Sequence, residues 1–395
     1  MIRRLTAAAC TAAALTGPAA AHAAEPLPPV VPAQQQQAAP AAAQKTWDDV
    51  GRRSGLPFDS GVFAHDAFDS ASGGGKVDGY ERVTGRPVDL YQIAPQREEG
   101  FGGLRTETDR IAKAMPDDVQ VDWAFPLVSR EEGAQLGTAI CQATPNPYVR
   151  PGWEFNLSGS WDWTVDRIGE EAFVKGFRDS IDGIRSTCPG IRAEWNPNSG
   201  QGGVEKAMKV WPGDEYVDVI GVDTYDWANE PDQVGMSGGI DEWAQVARDR
   251  GKKLSLPEWG AHGKQGRGDN PEFVKSIMAA LEKNADVVVM ASYFSEDEGG
   301  YIDNEPEKQM PQVGEALRSE FTRLAGTRRS APRASNAPAP AQAPQTAPQT
   351  APQTVPQPTP QDAAAAFAFL LDPTGRHALR LTIGPDGRVH ATQPR

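Results

Sequence analysis

Cysteine and histidine are scarce in this 395-residue sequence, with three Cys and five His. That is too few for a disulfide-built scaffold or a His/Cys zinc site, and nothing in the chain asks for a metal or any other cofactor. Basic residues are outnumbered, 39 Lys and Arg against 53 Asp and Glu, for a formal net charge of −14. Nucleic acids and anionic membranes select a basic face, so neither is an expected partner. No run of 18 apolar residues occurs, so no transmembrane segment is expected. What abounds is Gly (40) and Pro (34), together about a fifth of the chain. A single packed globule uses less, so part of the chain should lie outside any core.

The organisation follows from composition. Arg3 and Arg4, the Ala-rich stretch 5–15 and Ala21-His22-Ala23 have the form of a cleaved signal peptide, 1–23. Its removal takes the charge from −14 to −16, removes Cys10 and predicts export to the periplasm or the extracellular space. The remaining Cys141 and Cys188 could pair there or stay as two separate buried thiols. Residues 24–45 lack charge patterning and periodicity and read as a disordered leader. Residues 329–362 repeat APQT within a Pro/Ala/Gln run, a linker. The tail, 363–395, carries Asp386-Gly387 between two short alternating runs, a hairpin signal, and is too small to hold a core alone. The folded body is then 46–328, expected as a monomer, and it holds all ten Trp.

Eight strand-like runs punctuate this body: 60–64, 88–93, 119–125, 147–153, 191–195, 217–223, 253–257 and 286–293. Several are nearly continuously apolar, as strands buried on both faces are. Helical periods lie between them, for instance over 168–185 and over 270–284, where Asn270 predicts an N-cap and Pro271 the first helical position. Eight β/α alternations over this length predict an α/β fold of the (β/α)8 TIM-barrel type. A doubly wound sheet would show a Gly-rich phosphate turn after its first strand, and Gly73-Gly74-Gly75 is not of that form.

Barrel sites form where strands end. The fourth run ends Arg150-Pro151-Gly152-Trp153-Glu154 and the seventh ends Pro257-Glu258-Trp259, each placing a Glu beside a Trp after an apolar stretch. A lone Glu there is usually an ion-pair partner. Two of them, on strands that face each other across a barrel mouth, are equipment for cutting a glycosidic bond. Arg150, four residues before Glu154, is expected on the same strand face, where it could hold the carboxylates. Tyr225, closing the sixth run, could hydrogen-bond Glu258. Trp161 and Trp163 follow Glu154 in a loop, where exposed indoles suit the flat faces of sugar rings.

The segments YVRPGWEFNLSGSWDW (148–163), WPGDEYVDVIGVDTYD (211–226) and KLSLPEWG (253–260), with Asn196-Pro197-Asn198, resemble glycoside hydrolase family 26. The resemblance implies a retaining (β/α)8 glycosidase, with endo-β-mannanases among its members and some acting on xylan or mixed-linkage glucan. It implies Glu154 as general acid/base, Glu258 as nucleophile and Tyr225 as the nucleophile's hydrogen-bond partner. Arg150, Trp153, Asn156, Trp161, Trp163, Asn196, Tyr225, Trp259 and Tyr293 complete the expected substrate site, with polysaccharide as the partner. One departure stands out: the family's mannanases place His before the acid/base Glu, and this chain has Trp153. A different β-glycan or a bacterial exopolysaccharide is therefore an alternative substrate. A non-catalytic carbohydrate-binding barrel is a further alternative, disfavoured by the presence of both Glu residues.

Overall fold

A computed structural model describes residues 47–328, except 64–74, 96–99, 145, 229–231, 264 and 297–303, together with 369–371, 378–383 and 389–392. The expected signal peptide, leader and linker lie outside the described residues.

Strands and helices alternate in the first unit. The strands are β1 (Asp59–Phe63), β2 (Leu90–Ile93), β3 (Gln120–Phe125), β4 (Tyr148–Pro151), β5 (Arg192–Trp195), β6 (Val219–Gly221), β7 (Thr224–Tyr225), β8 (Lys253–Gly260) and β9 (Val288–Tyr293). All pair in parallel, and β6 with β7 forms one interrupted barrel strand. Neighbours run β1 to β6 in order, β6 pairs with β8, β8 with β9, and β9 with β1, which closes an eight-stranded (β/α)8 TIM barrel.

Helices α1 (Gly75–Thr84), α2 (Gly100–Ala114), α3 (Arg130–Ala143), α4 (Val165–Ile168), α5 (Glu170–Thr187), α6 (Gly203–Met208), α7 (Ile240–Arg250), α8 (Pro271–Lys283) and α9 (Pro311–Arg328) surround it. The apolar core lies between strands and helices, where Phe173, Phe177, Ile181 and Ile184 of α5 are fully buried, as their spacing requires. Helices α3 and α5 approach closely. A side chain at Gly137 would meet the Ile184 carbonyl at 2.5 Å, and one at Gly183 would collide with the Arg130 carbonyl. The Cys141–Cys188 disulfide, Cα to Cα 5.5 Å, ties the ends of the same two helices. Pro271 opens α8 as expected, but Asn270 does not cap it through its side chain. Its amide donates instead to Asp226 at 2.7 Å.

The barrel interior is polar in layers. Arg192, stacked over Trp47 and Tyr148 and paired with Asp49, fills the N-terminal end. Above it Gln92, Asp122, Arg150, Glu194, Ser255 and Ser292 point inward, all buried. Gly221 makes room there: a Cβ would sit 2.8 Å from Glu194 Oε1 and 2.9 Å from Pro257. The second unit is a three-stranded antiparallel sheet of β10 (Phe369–Leu371), β11 (Ala378–Ile383) and β12 (Val389–Thr392). Its β11 and β12 pair on either side of Asp386-Gly387, which lies outside the described residues.

Candidate active site

Strand β4 stops at Pro151 and the chain leaves the pleat through Gly152, φ 66°, to Glu154, φ 50°. Alternation therefore does not carry from Arg150 to Glu154, and the expected shared face is corrected. Arg150 is fully buried and its fork reaches Glu258 Oε1 at 2.8 Å, Asp122 at 2.8 Å and Asn196 Oδ1 at 2.9 Å. Glu258 lies within β8, where the register against β9 shifts between Leu256 and Trp259, and accepts two further hydrogen bonds. Gln92 Nε2 donates to Oε1 at 2.9 Å and the Tyr225 hydroxyl donates to Oε2 at 3.0 Å. Ser292 in turn donates to Gln92 Oε1 at 3.2 Å, which fixes which end of that amide faces Glu258.

Glu154 is held by different groups. Asn198 Nδ2 donates to Oε1 at 2.6 Å and Trp161 Nε1 to Oε2 at 3.2 Å. Asn156 positions Asn198, accepting from its backbone N–H and donating to its carbonyl, both at 2.8 Å. One carboxylate oxygen from each of Glu154, Asp223 and Glu258 lies within 4.8 Å of the others. Among the described residues this is the one acidic group close enough to share a cation. The Arg150 guanidinium, 2.8 Å from Glu258 and 3.6 Å from Asp223, already supplies positive charge to it.

One guanidinium cannot balance every buried carboxyl, so the site holds protons. Burial, then the charge of Glu258, pushes Glu154 up to about 7, against the pull of Asn198, Trp161 and Arg150. Burial and Glu258 raise Asp223 well above the usual carboxylate range, and burial and Asp122 do the same to Glu194. Burial also raises Asp122, to about 6, with Arg150 opposing. Burial works to discharge Arg150, but Asp122, Glu258, Asp223 and Glu194 overcome it and hold the guanidinium firmly charged.

The two Glu carboxyls open into a cavity of about 660 Å³. On one side stand Trp153, Trp161 and Trp163, with Trp161 stacked on Trp163 at 5.4 Å and Trp153 tilted against Trp163 at 4.3 Å. Phe63, Phe294, Tyr225, Trp227 and His262 also line it, with Trp227 packed on His262 at 4.3 Å and Phe63 on Phe294 at 4.6 Å. Of the expected site residues, Trp153, Glu154, Trp161, Trp163, Tyr225 and Glu258 line the cavity. Asn156, Asn196 and Arg150 lie buried behind it and hold other side chains. Trp259 and Tyr293 are set apart from it. They pair in register on the helix side of the sheet, 5.1 Å apart and edge to face, with Trp259 against Phe273 of α8 and Tyr293 on Tyr80 of α1. They are core residues there.

Residues 149–317 match the family model of Glycosyl hydrolase family 26. No curated protein matches the sequence. Among solved structures, the chain is similar to a modular endo-beta-1,4-mannanase from Cellulomonas fimi, 15% identical, covering 70% of this chain and 75% of that one with a TM-score of 0.53. It is also similar to the catalytic domain of a GH26 endo-beta-1,4-mannanase from Bacillus sp. JAMB-750, 13% identical, covering 70% and 87% with a TM-score of 0.51. At these identities the likeness carries the fold.

Proposed function

Because residues 149–317 place this chain, a glycoside hydrolase, in glycosyl hydrolase family 26, we propose that it is an exported retaining enzyme that cuts within a β-linked polysaccharide of mannan type. The observation that carries this reading is a pair of carboxyl groups in unlike surroundings at short range. Glu258 accepts three hydrogen bonds, one from a guanidinium, and so is presented as an aimed acceptor. Glu154 is pushed up to about 7 and so holds a proton to give near neutrality. One oxygen of each lies within 4.8 Å of the other, closer to the separation of about 5–5.5 Å of retaining enzymes than to the about 6.5–9.5 Å of inverting ones.

In the first step Glu258 attacks the anomeric carbon while the glycosidic bond breaks and its oxygen takes the proton of Glu154. The Glu258 ester removes the charge that helped keep Glu154 protonated. Glu154, now ionised, takes a proton from water, whose oxygen bonds the anomeric carbon and releases Glu258. The indoles of Trp153, Trp161 and Trp163 offer stacking surfaces beside Glu154. The Cys141–Cys188 disulfide suits an oxidising compartment and supports export.

A second reading, a β-glycan other than mannan, is favoured by Trp153, an indole packed at 4.3 Å on Trp163 where family mannanases carry His. The test is to incubate the protein with mannan, glucomannan, xylan and mixed-linkage β-glucan and follow new reducing ends by NMR. The expected result is cleavage of mannan or glucomannan with the β-anomer appearing first. Cleavage of another β-glycan alone selects the second reading, an α-anomer first refutes retention, and no cleavage of any refutes the function.

A further inference from the structure

Among the described residues, two that are not glycine have a left-handed backbone: Glu154, φ 50°, and Gln201, φ 40°. Both line the same cavity. The segment around Gln201 makes the second case pointed. Gly200, Gly202 and Gly203 have φ of 72°, 91° and 76°, so the chain curls through four left-handed residues and uses glycine at three of them. At 201 it keeps a side chain where glycine would be free of strain. Strain of this kind persists where it serves a site.

The side chain kept there is a primary amide, exposed to solvent and without a hydrogen-bond partner among the described residues. It stands three residues after Asn198, whose amide donates to Glu154 at 2.6 Å. The loop that carries Gln201 is thus tied to Glu154, the group that would protonate the departing oxygen. We propose that Gln201 is a substrate-contacting, specificity-determining residue, whose amide holds hydroxyl groups of the sugar that leaves with the protonated oxygen. An amide offers donors and an acceptor together, which matches the paired hydroxyls of an uncharged sugar ring.

This inference rests on the hydrolase reading above, and one experiment separates them. Wild type, Gln201→Gly and Gln201→Ala are compared for thermal midpoint and for kcat and KM on a β-oligosaccharide and on an aryl glycoside of the same sugar. The glycine variant relieves the backbone and removes the amide. It is expected to melt at or above the wild-type midpoint while kcat/KM on the oligosaccharide falls about tenfold, the worth of a substrate hydrogen bond. The fall on the aryl glycoside, whose leaving group gives the amide nothing to hold, is expected to be smaller. The alanine variant, which keeps the strain, should lose the same activity. Unchanged kcat/KM in the glycine variant, equal losses on both substrates, or a lowered midpoint would overturn the role of Gln201 and leave the hydrolase reading standing. A wild type inert on both substrates overturns both.

Discussion

Replacing Glu154 by Gln should stabilise the protein relative to wild type progressively as pH rises from acid to alkaline. Burial and the charge of Glu258 raise this carboxyl from 4.5 to about 7 in the folded state. Between those values the unfolded chain gives up the proton and the folded one keeps it, so wild-type stability falls as pH rises. At 1.36 kcal/mol per pKa unit the loss is about 3 kcal/mol, complete above pH 7 and absent below pH 4.5. The glutamine of Glu154→Gln stays neutral throughout and escapes it. Its amide must face Asn198 Nδ2 or Trp161 Nε1 with a donor, a penalty independent of pH, so the informative quantity is the change in the difference. Thermal denaturation of both proteins at intervals from pH 4 to 8 should show the variant's midpoint gaining on wild type by roughly 5–10 °C across that span. The raised carboxyls of Asp122, Glu194 and Asp223 remain in both proteins and cancel to first order. A difference that stays flat from pH 4 to 8, or that grows toward acid, would refute the buried, protonated Glu154 described here.

Arg150→Met leaves Asp122 and Glu258 without their buried counter-charge and should destabilise the fold by about 3–5 kcal/mol in urea denaturation, with Arg150→Lys recovering only part because the fork is lost. Trp161→Phe removes a donor that favours the ionised form of Glu154, so the alkaline limb of the kcat/KM profile should move to higher pH. Substituting Cys141 and Cys188 together by Ser opens the link between α3 and α5 and should lower stability by about 2–4 kcal/mol, read as a shifted denaturation midpoint.

All eight strand runs read from the sequence contribute to the barrel, and several are legible because strands buried on both faces run nearly continuously apolar. Their ends are less legible. The left-handed turn at Gly152 and Glu154 is a backbone property that hydrophobic pattern does not carry, so β4 stops earlier than expected and Arg150 serves Glu258. Trp259 and Tyr293 were legible and are misplaced by the expectation: Trp259 adjoins inward-facing Glu258, and strand alternation turns it to the helices. Gln92, Asp122 and Glu194 carry a usable signal, polar residues set inside otherwise apolar runs, which in a barrel mark the filled interior. Asn198 lies in the Asn196-Pro197-Asn198 segment, but which of its two amides meets Glu154 is set by the loop after β5, and the sequence has no mark for it. Trp227, His262 and Phe294 come from loops distant in sequence, and only the closed barrel brings them to one cavity.

The central claim is that Glu258 attacks and Glu154 moves the proton, and anomeric analysis of azide rescue tests it most directly. Glu258→Ala, given a substrate with a good leaving group and azide, should yield the α-glycosyl azide, since azide takes the nucleophile's place and inverts once. Glu154→Ala should still form the Glu258 ester on that substrate and yield the β-glycosyl azide, retained after two inversions. The same anomer from both variants, or wild-type activity in either, would contradict the account.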